Sequence, residues 1–369
     1  MNVQLRPQRT APAATKLAVA DCDIHPAQRS PNDLDPWLPQ QWRDHAAHYG
    51  ALRRLGMHKG PAYPKSQPDA SRRDAYPPEG GRQGSSPAFM GAHHLDANNV
   101  VLGILNPLNS GQGVSNPDFS AALCRAVNHW QEEIWLASDK RLRGSIVVPY
   151  EFADAAVAEI EYWAGRKGFV QVLLLSRTAE PLGNRRYWKM FAAAEAAGLP
   201  VAVHAFGYGG QPITATGWPS YYIEEMTGHA QSCQAGLSSM IVEGLFERFP
   251  ALRVVMVEAG FAWAPALAWR LDKVWKTLRV ETPHLKRAPS EYLRHHVWWT
   301  TQPMEEPDPR EHLLDTIEWM GWDRLLFATD YPHWDFDDPA HALPLKITDA
   351  QRQQFFLGNA RALYGTDAA

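Results

Sequence analysis

A chain of 369 residues, 45% apolar and 21% charged, can bury a substantial core and is long enough for one enlarged domain. Its formal charge of -4, with no run of Lys or Arg, offers no field for a phosphate backbone and excludes nucleic acid as the expected partner. No stretch of about 18 apolar residues occurs and no apolar signal core stands near the start, so neither a membrane partner nor export is expected.

Three cysteines, Cys22, Cys124 and Cys233, are odd in number and far apart, which fits a reducing, cytoplasmic setting. Residues 1–16 read as a disordered lead, and residues 17–369 as one enlarged domain. Residues 17–25 form the first strand candidate, ending in Asp23-x-His25; alternation on a strand sends both side chains to one face. Residues 26–90 lose all periodicity, with short helical pieces near residues 35–49, and read as an ordered insertion covering a mouth or an oligomer contact.

Regular βα units follow. Strands are expected at Val100–Leu105, residues 144–150, Phe169–Leu175, residues 200–206, 252–260, 297–301 and 324–330. Helices are expected at residues 118–137, 154–166, 186–197, 220–248, 262–279, 310–320 and 350–363. Eight strands in βα alternation imply an α/β fold, a (β/α)8 TIM barrel with a long insertion after its first strand. No glycine-rich dinucleotide fingerprint or phosphate loop follows any strand, which disfavours an open doubly wound sheet.

In such a barrel the C-terminal strand tips share one mouth. Here they carry Asp23 and His25, His204, Glu258 and Asp330. Each alone has a bland reading: a hydrogen-bonded core histidine, a buried salt-bridge partner, a helix cap. Burying three carboxylates together costs several kcal/mol each, of order, unless a cation or paired bases compensate, so a shared metal ion is the economical explanation. His333 reads as a substrate-orienting group or a surface turn residue. Trp298, Trp299, Tyr331 and Trp334 are candidates for an aromatic wall, although alternation allows only one of Trp298 and Trp299 to line the barrel, and core filling competes. Arg177 is a candidate clamp for a substrate carboxylate. His229 on the long helix reads as a polar-face histidine, with a place near the mouth as the alternative, and the pair His93-His94 receives no role.

The strand-one Asp-x-His, the His in Val-Ala-Val-His204, the carboxylate after Arg-Val-Val-Met-Val and the Ala-Thr-Asp330-Tyr-Pro-His ending resemble the amidohydrolase superfamily. Within it the chain is similar to the branch that includes aminocarboxymuconate-semialdehyde and resorcylate-type decarboxylases. The resemblance runs from about Leu17 to Tyr364 and implies a divalent metal ion (Zn, Mn or Fe), one or two per chain, held by Asp23, His25, His204 and Asp330. Glu258 then acts on substrate or on metal-bound water, or joins the ligands, and a homodimer is the usual assembly. Two departures stand out: Asp23 where the family commonly has His, and Glu258 where the decarboxylases commonly have His. The added carboxylates favour harder ions.

The expected function is a metal-dependent hydrolase of a small-molecule amide, ester, thioester or lactone, with Asp330 as base toward metal-bound water and His333 and Glu258 assisting. The runner-up is a metal-dependent, non-oxidative decarboxylase of an aromatic or enoic acid, in which Glu258 or Asp330 delivers a proton. A third reading is a barrel that binds a ligand without catalysis.

Overall fold

A computed structural model describes residues 17–30, 32–49, 70–205 and 217–366. The expected lead at residues 1–16, the middle of the insertion and the glycines at 207, 209 and 210 lie outside the described residues. Eight strands form one sheet in sequence order: β1 (Val19–Ile24), β2 (Val100–Leu105), β3 (Leu142–Val147), β4 (Phe169–Leu175), β5 (Val201–His204), β6 (Val254–Val257), β7 (Val297–Thr300) and β8 (Leu325–Leu326). Every neighbouring pair is parallel. The last segment returns to the first, where Cys22 N donates to Phe327 O at 2.9 Å and His25 N to Tyr331 O at 2.7 Å. The result is a nearly closed (β/α)8 barrel.

The helices are α1 (Gln40–Tyr49), α2 (Pro87–Met90), α3 (Pro117–Trp130), α4 (Ala153–Trp163), α5 (Trp188–Ala196), α6 (Tyr222–Val242), α7 (Leu245–Arg248), α8 (Trp263–Leu278), α9 (Pro289–His296), α10 (Glu311–Met320), α11 (Asp349–Gln353) and α12 (Asn359–Tyr364). Some helix ends follow local chemistry. Asn116 caps α3 by accepting from Phe119 N, with Pro117 pre-set at the first helical position. The single helix expected over residues 220–248 is two, because Gly244 adopts φ 81 and starts the short α7. The strand-to-helix layer buries Val203, Met256, Trp299 and Phe327 with Phe191, Leu237, Ala264 and Ile317, and a buried Val, Leu, Ile, Phe or Met side chain contributes about 1.5–3 kcal/mol.

Backbone hydrogen bonds hold the described part of the insertion beside two strand ends. Ala27 N donates to Gly84 O at 2.8 Å, just beyond β1. Past β8, Arg72 N donates to Pro332 O and Trp334 N to Ala70 O, both at 2.9 Å, flanking an antiparallel bridge between Ser71 and His333. Both residue groups flank the C-terminal ends of strands that carry the candidate site.

Candidate functional site

Alternation on β1 works as expected: Asp23 and His25 turn inward together, with His25 Nε2 3.2 Å from Asp23 Oδ1. The same Nε2 lies 2.8 Å from Asp330 Oδ1, whose other neighbour is His333 Nδ1 at 2.7 Å. Across the mouth, His204 Nε2 stands 3.0 Å from Glu258 Oε2 and 3.7 Å from Asp23 Oδ2. Two overlapping groups therefore bring donor atoms within 4.8 Å of one another: Asp23, His25, His204 and Glu258, and His25, Glu258, Asp330 and His333. All but His333 are buried. One expectation shifts in detail. The paired part of β8 ends at Leu326, and Asp330 sits four residues farther on, in a segment that continues alongside β1.

Two of these residues hold a backbone that L side chains rarely adopt, Glu258 at φ 52 and Asp330 at φ 62. Such conformations cost of order 1–3 kcal/mol each and survive only where the surroundings enforce them. Glu258 N donates to Thr300 Oγ1 at 3.0 Å, and His333 N to Asp330 O at 2.7 Å. The strain turns both carboxylates into the same space.

The cluster fits a divalent cation. His25 Nδ1 faces Asn106 O at 2.7 Å and so carries the ring proton, which leaves the Nε2 lone pair pointing at two carboxylates. That arrangement is repulsive without a proton or a cation between the groups. Burial works against a charged His25, yet Asp23 and Asp330 outweigh it and raise its pKa well above the usual 6.5. Among the described residues, Asp23 Oδ2 and Asp330 Oδ2 are buried with no hydrogen-bond donor. The other groups divide sharply. Burial pushes Glu258 well above the usual carboxyl range, and the Asp330 and Asp23 charges add to it. Burial also takes His204 down to about 3, which keeps its imidazole neutral and able to bind a metal. For Asp330 burial acts upward, but the imidazoles of His333 and His25 overcome it and hold the carboxyl below its usual range.

Several supporting residues escaped the reading of the sequence. Asn106, directly after β2, accepts from His25 through its carbonyl and donates from Nδ2 to Asp23 Oδ1 at 2.8 Å. Ser145 and Gln171 in turn donate to its Oδ1. A polar residue directly after an apolar strand was the available signal. Asp21 and His94, given no role above, form a buried pair under β1 at 2.8 Å.

The proposed aromatic wall needs correcting. Trp299 is 1% exposed and packs edge-on to Trp263 of α8, so it fills the layer behind β7 and does not line the mouth. Trp298 lies under the Arg324 guanidinium at 4.4 Å, at the opening end of β8. Tyr331 is 1% exposed, stacked on His94 at 4.5 Å. Trp334 remains exposed and donates from Nε1 to Tyr222 OH at the start of α6, 3.1 Å away. Arg177 is half-buried just past β4, where desolvation lowers its pKa. His229 is buried at 2% exposure on α6, not on a polar face.

A family model described as Amidohydrolase matches residues 20–366. Gamma-resorcylate decarboxylase of Polaromonas sp. (strain JS666 / ATCC BAA-500) is 24% identical over 286 residues, covering 75% of this chain and 85% of that protein. The gamma-resorcylate decarboxylase of Rhodococcus jostii (strain RHA1) is 25% identical over 291 residues, covering 74% and 86%. Among solved structures, the dihydroxybenzoic acid decarboxylase of Polaromonas sp. JS666, with bound manganese and the inhibitor 2-nitroresorcinol, aligns with a TM-score of 0.64 at 20% identity. That alignment covers 96% of this chain and 98% of that one.

These relatives overturn the expectation of a hydrolase cleaving an amide, ester, thioester or lactone: they are decarboxylases. The geometry agrees with the correction, because Asp330, chosen as the base, is already engaged by two imidazoles. Glu258, by contrast, has its carboxyl pushed well above the usual range by burial. The match begins at the second residue of β1 and ends beyond α12, so it takes in the whole barrel, and the chain belongs to the amidohydrolase family.

Proposed function

We propose that the chain is a divalent-metal-dependent, non-oxidative decarboxylase of a hydroxylated aromatic acid. The observation that carries the reading is a charge count at the mouth. Asp23 and Asp330 with neutral His25 and His204 balance one divalent cation, and Glu258 is one buried carboxyl too many. An uncompensated buried charge costs several kcal/mol, of order, so Glu258 keeps its proton. Hydrolysis calls for a base at this place, whereas decarboxylation calls for an acid. The gamma-resorcylate decarboxylases matched above lend the substrate class.

Asp23, His25, His204 and Asp330 would hold the cation, manganese being the ion seen in the dihydroxybenzoic acid decarboxylase. When bound, it supplies fixed positive charge for the substrate carboxylate and the neighbouring hydroxyl oxygen. The remaining work falls to the chain. Glu258 gives its proton to the ring carbon that bears the carboxylate. A C–H bond forms there, the ring-to-carboxylate C–C bond breaks, and its electron pair returns to the ring as CO2 leaves. Glu258 is left as carboxylate and regains a proton from water before the next turnover. His333, on Asp330 Oδ1, orients that carboxylate. Trp334 with Tyr222 at the rim suits the flat face of an aromatic ring, and Arg177 would hold a second anionic substituent.

The insertion as a cover for the mouth, a cytoplasmic setting and a homodimer belong to the same proposal. Hydrogen bonds beside the strand ends support the cover and three buried, unbridged cysteines the setting, while the homodimer rests on the family resemblance. The test is CO2 release from a panel of ortho-hydroxybenzoates by protein loaded with Mn2+ and by the same protein stripped with EDTA. Release that needs the metal supports the proposal. Metal-loaded protein that releases no CO2 from any member, yet cleaves an ester or lactone, defeats it.

A further inference from the structure

We infer that Asp21 and His94 form a positioning pair that sets the spacing of the two metal-facing carboxylates, Asp23 and Asp330; this rests on the cation site proposed above. Asp21 is 0% exposed and sits two residues before Asp23 on β1, where the pairing with β2 is irregular between Asp21 and Ile24. Its Oδ1 accepts from Asp23 N at 3.2 Å and from Thr329 N at 2.9 Å. A single oxygen thus holds the backbone of one metal-facing residue and of the residue immediately before the other. Its Oδ2 accepts from Thr329 Oγ1 and from His94 Nε2, the latter at 2.8 Å. Thr329 Oγ1 accepts in turn from Tyr331 N at 3.2 Å, so the pinned segment flanks Asp330 on both sides.

The histidine is fixed as a donor. Asn98 Nδ2 lies 3.1 Å from His94 Nδ1 and donates to it, which places the ring proton on Nε2, toward Asp21. The ring is 0% exposed and stacks on Tyr331 at 4.5 Å with an interplanar angle of 7°. None of these groups faces the cation cluster, so their effect on the metal passes through the backbone of β1 and of residues 329–331. The left-handed φ of Asp330 needs such an anchor, because the paired part of β8 has already ended at Leu326. The pair therefore acts through its neighbours: without the His94 donor, Oδ2 keeps one partner, Asp21 turns, and the two carboxylates lose their fixed separation.

Mn2+ affinity measured calorimetrically on EDTA-stripped protein, without substrate, tests this directly. The variants are His94→Phe, which keeps the stack on Tyr331 and removes the donor, and His94→Gln, which restores a donor. Trp163→Phe in the strand-to-helix layer serves as a control with a comparable loss in melting temperature. His94→Phe is expected to bind Mn2+ about 10–100-fold more weakly, the range for losing a partner behind metal ligands. His94→Gln is expected to recover most of the loss, and the control to bind as wild type does. Wild-type affinity in His94→Phe, equal loss in the control, or no recovery in His94→Gln overturns the inference while the cation site stands. Wild type that binds no Mn2+ overturns the cation site and this inference with it.

Discussion

At the scale of single residues, the account separates the carboxylates by what surrounds them. Asp330 touches two imidazoles and Glu258 is pressed between burial and two negative charges, which is why the first is proposed as a ligand and the second as an acid. Glu258→Gln is expected to keep the metal content of wild type and to lose about 10²–10⁴-fold in turnover, the usual worth of a positioned proton donor. Elemental analysis beside the rate checks this, and loss of metal together with activity would make Glu258 a ligand instead. Asp330→Asn is expected to lower metal content at little backbone cost, since Asn tolerates φ 62 where most residues do not. Most of the cation cluster was legible in the sequence, because the residues of a strand tip can be read from where an apolar run stops. Asp21, Asn106 and His94 were not. Their roles depend on contacts between segments 73 to 308 residues apart, which no local spacing records.

At the scale of elements, β2 and β4 stand where their apolar runs place them, since strands buried on both faces have little else to specify them. β3 begins two residues earlier than expected, and α9 was missed. Its Pro289–His296 sequence has charged residues on much of its surface and is held by Tyr292, which packs into the core and bonds to Glu247. Trp299 shows the same limit: alternation says that Trp298 and Trp299 face opposite ways but not which one is inside. The insertion was expected to be ordered, and its anchor at Gly84 gives that a test. Gly84 has φ 68, and a Cβ there would stand 2.5 Å from His25 O. Gly84→Ala is expected to destabilise the protein by about 1–3 kcal/mol in urea unfolding and to weaken Mn2+ binding, because relief of the clash must move the residue that carries His25.

At the scale of the whole molecule, acid and metal both stabilise the fold, at opposite ends of the pH range. Burial, with Asp335, Glu306 and Asp330 nearby, raises Asp337 to about 7 from the usual 3.8. A carboxyl with a raised folded-state pKa contributes stability that is complete below its unfolded pKa of about 4 and is lost as pH rises through about 7. Asp337→Asn is therefore expected to gain on the order of 1–3 kcal/mol over wild type at pH 8 and nothing near pH 4, read from denaturant curves at both. A bound cation adds stability above neutral pH. Mn2+ at 100 times its dissociation constant is expected to contribute about 2.7 kcal/mol, and EDTA to remove it. The central claim is that Glu258 gives a proton to the ring carbon that loses CO2. Turnover of 2,6-dihydroxybenzoate by Mn2+-loaded protein in D2O, followed by mass spectrometry of CO2 and product, tests it most directly. The expected result is one CO2 released per resorcinol, one deuterium at the former carboxyl-bearing carbon, and turnover lower by about 10²–10⁴-fold in Glu258→Gln. Metal-loaded wild type that leaves this acid and its ortho-hydroxy analogues intact, or Glu258→Gln that labels the product at the wild-type rate, would contradict it.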